Sequence, residues 1–317
     1  RGLYEPTEPN QQGLLPVDDT HSLFYHVYGN STSQHVALSL HGGPGAGSFP
    51  RHARFFDPKR CRVVLFDQRG CGSSTPRGDS CCLLQLTSQQ RLRVHLNVST
   101  WDIVLGGSWG STLALAYSQE YPERVRAMVL RGVCLMRAKE ICWLMSSSTS
   151  SSIQGVRERL AVRPRPPSPV ADAPAGSTRP RLFSSNTTTQ GAAARRWSDC
   201  LVSESRPAPS APYVPAQVSC PRPSPSNRHD LQAMLTCWYS LHGGFLEEEA
   251  ILQPQRMERI RHIPCIAVQG AADYICPPWT ALDLHEAWPE MKLRLVAGAG
   301  HSMYDPEITS ELVKATD

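Results

Sequence analysis

Asp102-Ile-Val-Leu-Gly-Gly-Ser-Trp-Gly-Ser-Thr-Leu-Ala-Leu-Ala-Tyr117 decides the reading of the chain, because its pattern changes partway along. Asp102 to Leu105 is a short apolar run of the kind that forms a buried strand, and Ser111 to Glu120 reads as a helix. Between them Gly106, Ser108 and Gly110 fit Gly-x-Ser-x-Gly, the spacing of a strand-to-helix turn that presents a serine. So tight a turn strains the backbone at Ser108, and a side chain at either flank would strike the strand or the helix; glycine removes both clashes. Ser108 would also stand at the positive end of the helix dipole.

Outward from this stretch, short apolar runs alternate with helical patterns, the signature of βαβ units around a mostly parallel sheet flanked by helices. Leu23 to Tyr28 alternates like an edge strand. Val36 to Leu40, Arg62 to Phe66, Arg126 to Leu130, Cys265 to Val268 and Leu293 to Val296 read as buried strands, each ending in Gly, Asp or a turn cluster. Helices are expected at Gln90 to Leu96, Asp230 to Tyr239, Glu247 to Ile260, Pro278 to Trp288 and Pro306 to Thr316. In such α/β sheets the ligand crevice lies beyond the carboxyl ends of the strands, so the loops after these runs are where chemistry belongs.

A serine hydroxyl needs a base, and that base needs an orienting carboxylate. His301 follows the strand Leu293 to Val296 and the loop Ala297 to Gly300; Asp273 follows Cys265 to Val268, 28 residues before His301. Both fall at the same sheet edge as Ser108, in the chain order Ser, Asp, His used by α/β-hydrolases. Negative charge developing on an attacked carbonyl oxygen calls for backbone donors. The N–H of Trp109, heading the helix, is one candidate; Gly43, in His41-Gly-Gly-Pro-Gly45 after the strand Val36 to Leu40, is the other.

The remaining composition mostly excludes. The 317 residues carry 32 Lys plus Arg against 28 Asp plus Glu, a net +4 that is unevenly spread. Residues 146–228 hold 11 Arg, no Lys and 4 acids, leaving the rest of the chain slightly acidic, so the total implies no nucleic-acid-binding domain. The same segment holds 13 of the 27 Pro and 17 Ser, and is expected to be a solvated irregular stretch rather than a Pro-rich ligand or an RNA-contacting tail. No apolar run approaches the roughly 18 to 20 residues needed to cross a bilayer, and the first residues lack the pattern of a signal peptide. Eleven Cys with no CxxC pair and no Cys/His ligand spacing suggest free thiols in a reducing compartment. The expectation is a soluble cytoplasmic protein with no membrane partner, cofactor or metal.

Longer motifs carry a resemblance. His41-Gly-Gly-Pro-Gly45, Phe55-Phe-Asp-Pro58, Val63-Val-Leu-Phe-Asp-Gln-Arg-Gly-Cys-Gly-Ser-Ser-Thr-Pro76, Gly106-Gly-Ser-Trp-Gly-Ser111, Asp283-Leu-His-Glu-Ala-Trp-Pro289 and Gly300-His301 resemble the prolyl aminopeptidases (proline iminopeptidases), serine peptidases of the α/β-hydrolase fold. The resemblance covers residues 3–145 and 230–317. It implies Ser108 as nucleophile, Asp273 and His301 as the rest of the triad, Gly43 and Trp109 as the oxyanion hole, and a peptide with a free N-terminal proline as substrate. Asp67-Gln68-Arg69-Gly70 would be an architectural turn near the site. The organisation it implies is a first core part at 1–135, an inserted, degenerate cap at 136–250, and a second core part at 251–317.

The departures from the family lie in the cap. There, family carboxylates hold the charged amine of the substrate, since a desolvated ammonium requires a paired negative charge. Leu201 and Thr236 stand where those glutamates are expected, and Cys134, Leu144 and Ser240 stand where the proline pocket has rings. Glu204 or Glu247 to Glu249 could supply a substitute charge. Two other readings stay open: a small-molecule carboxylesterase, or a catalytically impaired protein of this fold acting as a scaffold.

Overall fold

The computed structural model describes residues 1–79, 85–145 and 228–317. The Ser/Pro/Arg-rich segment, apart from Arg228, lies outside the described residues, as do Leu201, Glu204 and the pair Cys81-Cys82.

Among the described residues eight strands form one sheet: β1 (Gln11–Pro16), β2 (Ser22–Gly29), β3 (Val36–Leu40), β4 (Arg62–Phe66), β5 (Ile103–Gly107), β6 (Met128–Arg131), β7 (Cys265–Gly270) and β8 (Lys292–Val296). Their order is β1-β2-β4-β3-β5-β6-β7-β8, antiparallel over the first two pairings and parallel from β4 onward. The helices are α1 (Gln85–His95), α2 (Trp109–Glu120), α3 (Ala138–Met145), α4 (Arg228–Leu241), α5 (Pro254–Glu258), α6 (Pro278–Ala287) and α7 (Pro306–Thr316).

The central strands are apolar throughout because both of their faces are covered. Successive residues point to opposite faces of the sheet, so Leu38, Val104 and Leu130 join one core with Trp101, Leu115 and Trp288. Their neighbours Ala37, Leu105 and Val129 join a second core closed by Leu312 and Val313 of α7. The chain leaves β3 for β4 on one side and crosses to β5 on the other. At this switch the loops after β3 and β5 lie side by side and open a crevice.

Three expectations change. β2 is not at the edge, because β1 pairs with it from Gln11–Val27 to Pro16–Ser22 and takes the exposed position. β8 is the opposite edge rather than a buried strand, with Leu295 49% exposed. Glu247 to Ile260 is no single helix: Pro254 forces Gln253 into an extended conformation, leaving a 3-10 turn at Ala250–Leu252 before α5. Among the described residues no helix is long and apolar enough to cross a membrane.

Candidate active site

Ser108 sits between β5 and α2 with φ 56° and ψ −128°, a conformation that L-residues rarely adopt. Its neighbours explain how the turn survives. A Cβ on Gly106 would lie 2.2 Å from the Gly110 carbonyl oxygen, and one on Gly110 would lie 2.2 Å from that of Leu40. The Ser108 N–H donates to the Arg131 carbonyl at 2.8 Å, while its own carbonyl accepts from the Ser111 N–H at 2.8 Å and the Ser111 hydroxyl at 2.6 Å. The elbow is thus fixed through its backbone, leaving the hydroxyl free to face a cavity of about 220 Å³.

Asp273 is fully buried at the end of β7. One carboxylate oxygen accepts from the N–H groups of Ile275 at 2.9 Å and Cys276 at 2.8 Å. The other accepts from His301 Nδ1 at 2.8 Å and Gln269 Nε2 at 3.3 Å. This arrangement favours the proton on Nδ1 and leaves Nε2 with a lone pair, the tautomer a general base needs.

That lone pair is occupied. Arg131, at the end of β6 and only 7% exposed, donates from Nη1 to His301 Nε2 at 3.1 Å and to the His301 carbonyl at 2.9 Å. Burial lowers the pKa of this guanidinium, and the charge of Asp273 opposes the shift. The expected unbroken chain of hydroxyl, imidazole and carboxylate is therefore corrected. Asp273 and His301 are joined, and Ser108 and His301 line the same cavity, but among the described residues they share no hydrogen bond. The Ser108 hydroxyl instead lies 4.0 Å from the Cys276 sulfur. The reason is the competing donor: an imidazole nitrogen that accepts from Arg131 cannot accept from serine at the same time.

Gly43 and Trp109 line the same cavity, and among the described residues no acceptor takes up the N–H of either. Gly43 has φ +118°, and a Cβ there would come within 2.5 Å of the Gly45 nitrogen. Gln68 braces both donors. Its Oε1 accepts from the Trp109 indole at 2.9 Å, its Nε2 donates to the His41 carbonyl at 2.8 Å, and its N–H donates to His41 Nε2 at 3.0 Å. Asp67 holds the same turn by accepting from Ser48 and from the Ser73 N–H.

The cap-side wall is formed by Cys134, Leu144, Gln232, Thr236 and Ser240, with Glu140 the acid among the described lining residues. Glu140 accepts from Arg137 Nε at 2.5 Å and from the Leu135 N–H at 2.8 Å, and the Thr236 hydroxyl donates to the Pro44 carbonyl at 2.9 Å. Among the described residues no group of three His, Cys, Asp or Glu could hold a metal ion.

The chain matches the α/β hydrolase fold family over residues 38–307. It is 39% identical to the probable proline iminopeptidase of Leptolyngbya boryana over 324 residues, covering 100% of this chain and 96% of that one. It is 38% identical to the proline iminopeptidase of Arabidopsis thaliana over 327 residues, covering 100% and 82%. The chain belongs to the proline iminopeptidase group of the α/β-hydrolases. Because these alignments run the whole length of this α/β-hydrolase, its Ser/Pro/Arg-rich segment occupies chain length that the relatives also have. An esterase from Exiguobacterium antarcticum superimposes with a TM-score of 0.58 at 15% identity, covering 96% of this chain and 99% of that one, a likeness of fold.

Sequence reasoning did not single out Arg131 or Cys276. Arg131 falls just beyond the run Arg126 to Leu130 and is the last residue of β6 in the structure; its signal is a charged residue at the sheet edge where the other site residues converge. Cys276 has a weaker one, lying three residues after Asp273 in the loop that caps the carboxylate.

Proposed function

We propose that this α/β-hydrolase is a serine aminopeptidase that releases N-terminal proline from peptides through an acyl-enzyme. What carries the reading is convergence on one cavity of three things: a serine on a backbone-locked elbow, a buried Asp273–His301 pair, and the two open N–H groups of Gly43 and Trp109. His301 Nε2 takes the proton of Ser108 as Oγ attacks the prolyl carbonyl carbon. The oxyanion lies against Gly43 and Trp109, and the imidazolium returns the proton to the departing amine. Water, activated by the same imidazole, then cleaves the prolyl ester. For the first step His301 must exchange its bond from Arg131 for one to Ser108, a side-chain movement within the cavity. Residues 136–250, between the core parts at 1–135 and 251–317, serve as the cap over the acyl group.

The test is release of p-nitroaniline from proline p-nitroanilide by the wild-type protein. Ser108→Ala should lower kcat by a factor on the order of 10⁶. A folded wild-type protein with no turnover between neutral and mildly alkaline pH would refute the assignment. The occupied Glu140 and Thr236 side chains favour one other reading, hydrolysis of a neutral ester, which needs no carboxylate for an amine. Faster turnover of p-nitrophenyl acetate than of any prolyl amide would select it.

A further inference from the structure

Two thiols line this cavity without any part in the chemistry above. Cys276 is buried, and its sulfur lies 4.0 Å from the Ser108 hydroxyl. Its backbone is pinned, with the N–H donating to Asp273 at 2.8 Å and the carbonyl accepting from Gln269 Nε2 at 2.9 Å. Cys134 is half-buried and pinned by α2, its N–H donating to the Ser111 hydroxyl at 2.9 Å and its carbonyl accepting from the Thr112 hydroxyl at 2.8 Å. The loops after β6 and β7 thus each bring one thiol to the cavity beside Ser108, and the Gln269 side chain ties these loops together, accepting from the Val133 N–H at 3.0 Å while donating to the Cys276 carbonyl. Both are free.

We propose that Cys134 and Cys276 form an oxidation site within the acyl pocket, closed to a disulfide by a hydroperoxide, and that closure shuts off acylation of Ser108. Formation of the bond is independent of the prolyl specificity; only the loss of acylation rests on Ser108 being the nucleophile. Cys134 reacts first, because it is the more exposed of the two, while the neighbouring Cys134 and burial push the Cys276 thiol up and keep its proton on. The Cys134 sulfur attacks the peroxide, forming an S–O bond and breaking O–O, and with hydrogen peroxide one water leaves. The Cys276 sulfur then attacks the sulfenic sulfur, forming S–S and breaking S–O, and a second water carries away its proton. In sum two thiols lose two electrons and two protons, and one peroxide becomes two waters. An S–S bond of about 2 Å draws the two loops together at the wall against which the acyl group must rest.

The experiment treats the full chain with hydrogen peroxide and reads three signals: disulfide-linked peptides by mass spectrometry, labelling of Ser108 by a fluorophosphonate, and prolyl amide turnover. The expected result is a Cys134–Cys276 linked peptide, with labelling and turnover both falling roughly tenfold or more, as displacement at a reacting centre does, and both restored by dithiothreitol. Cys134→Ser, compared with its own reduced state, should lose the reversible response, and Cys276→Ala should as well. If prolyl turnover is absent from the start, the linked peptide and the labelling still decide. Pairing of either cysteine with a different one, an unchanged thiol pair at full oxidation of the exposed thiols, or reversible inactivation persisting in Cys134→Ser overturns the proposal.

Discussion

The two walls of the cavity are built by different means. On the sheet side Ser108 and Asp273 are held by main-chain geometry: the elbow by contacts that leave no room for a Cβ at Gly106 or Gly110, and Asp273 by the N–H groups of Ile275 and Cys276. On the cap side the surface consists of single side chains from two separate segments, Cys134 before α3 with Leu144 within it, and Thr236 and Ser240 on α4. A main-chain cradle tolerates few sequences, whereas a side-chain wall can change one residue at a time. On the proposed mechanism the chemistry therefore belongs to the first wall, and the choice of acyl group to the second.

The sharpest way to break this division is Asp273→Asn. It should keep the fold and reduce kcat by about 10⁴, because the amide favours the wrong imidazole tautomer; a loss under tenfold in steady-state kinetics would remove the carboxylate from the mechanism. Gly110→Ala comes next. Its Cβ would press on the Leu40 carbonyl and should displace Ser108, costing on the order of 10² in kcat and about 1–3 kcal/mol of stability in denaturant unfolding. Unchanged kinetics would show that the elbow has slack that its contacts deny. Cys134→Phe should have the smallest effect, altering kcat/KM for prolyl over alanyl amides about tenfold, mostly through KM. A large change in kcat at constant KM would place Cys134 with the sheet-side wall instead.

This division also explains what the sequence could reveal. Strand ends announce themselves by Gly, Asp or His after an apolar run, so Ser108, Asp273, His301, Gly43 and Trp109 could be read along with seven of the eight described strands and their parallel core. β1, Gln-Gln-Gly-Leu-Leu-Pro, carries little apolar alternation because it lies at the exposed edge, and pairing with β2 rather than its own residues makes it a strand. The helix α3 went unread for a related reason: its eight residues gain their place from packing against the core, Ile141 being 5% exposed. The bond between Arg131 and His301 joins residues 170 positions apart, and only the side-by-side placement of strand ends makes it visible.

The connection between β6 and β7 carries a further consequence. These strands are parallel neighbours, Met128 opposite Cys265 and Arg131 opposite Val268, so the chain leaves β6 at the carboxyl edge of the sheet and re-enters β7 at the amino edge. The entropy of closing so wide an excursion grows only with the logarithm of its length, by about 0.6 kcal/mol per doubling. We propose that residues 136–250 can accordingly be exchanged as a cassette. Transplanting the corresponding stretch of a relative between these two fixed points would recast selectivity while leaving the hydrolytic scaffold in place.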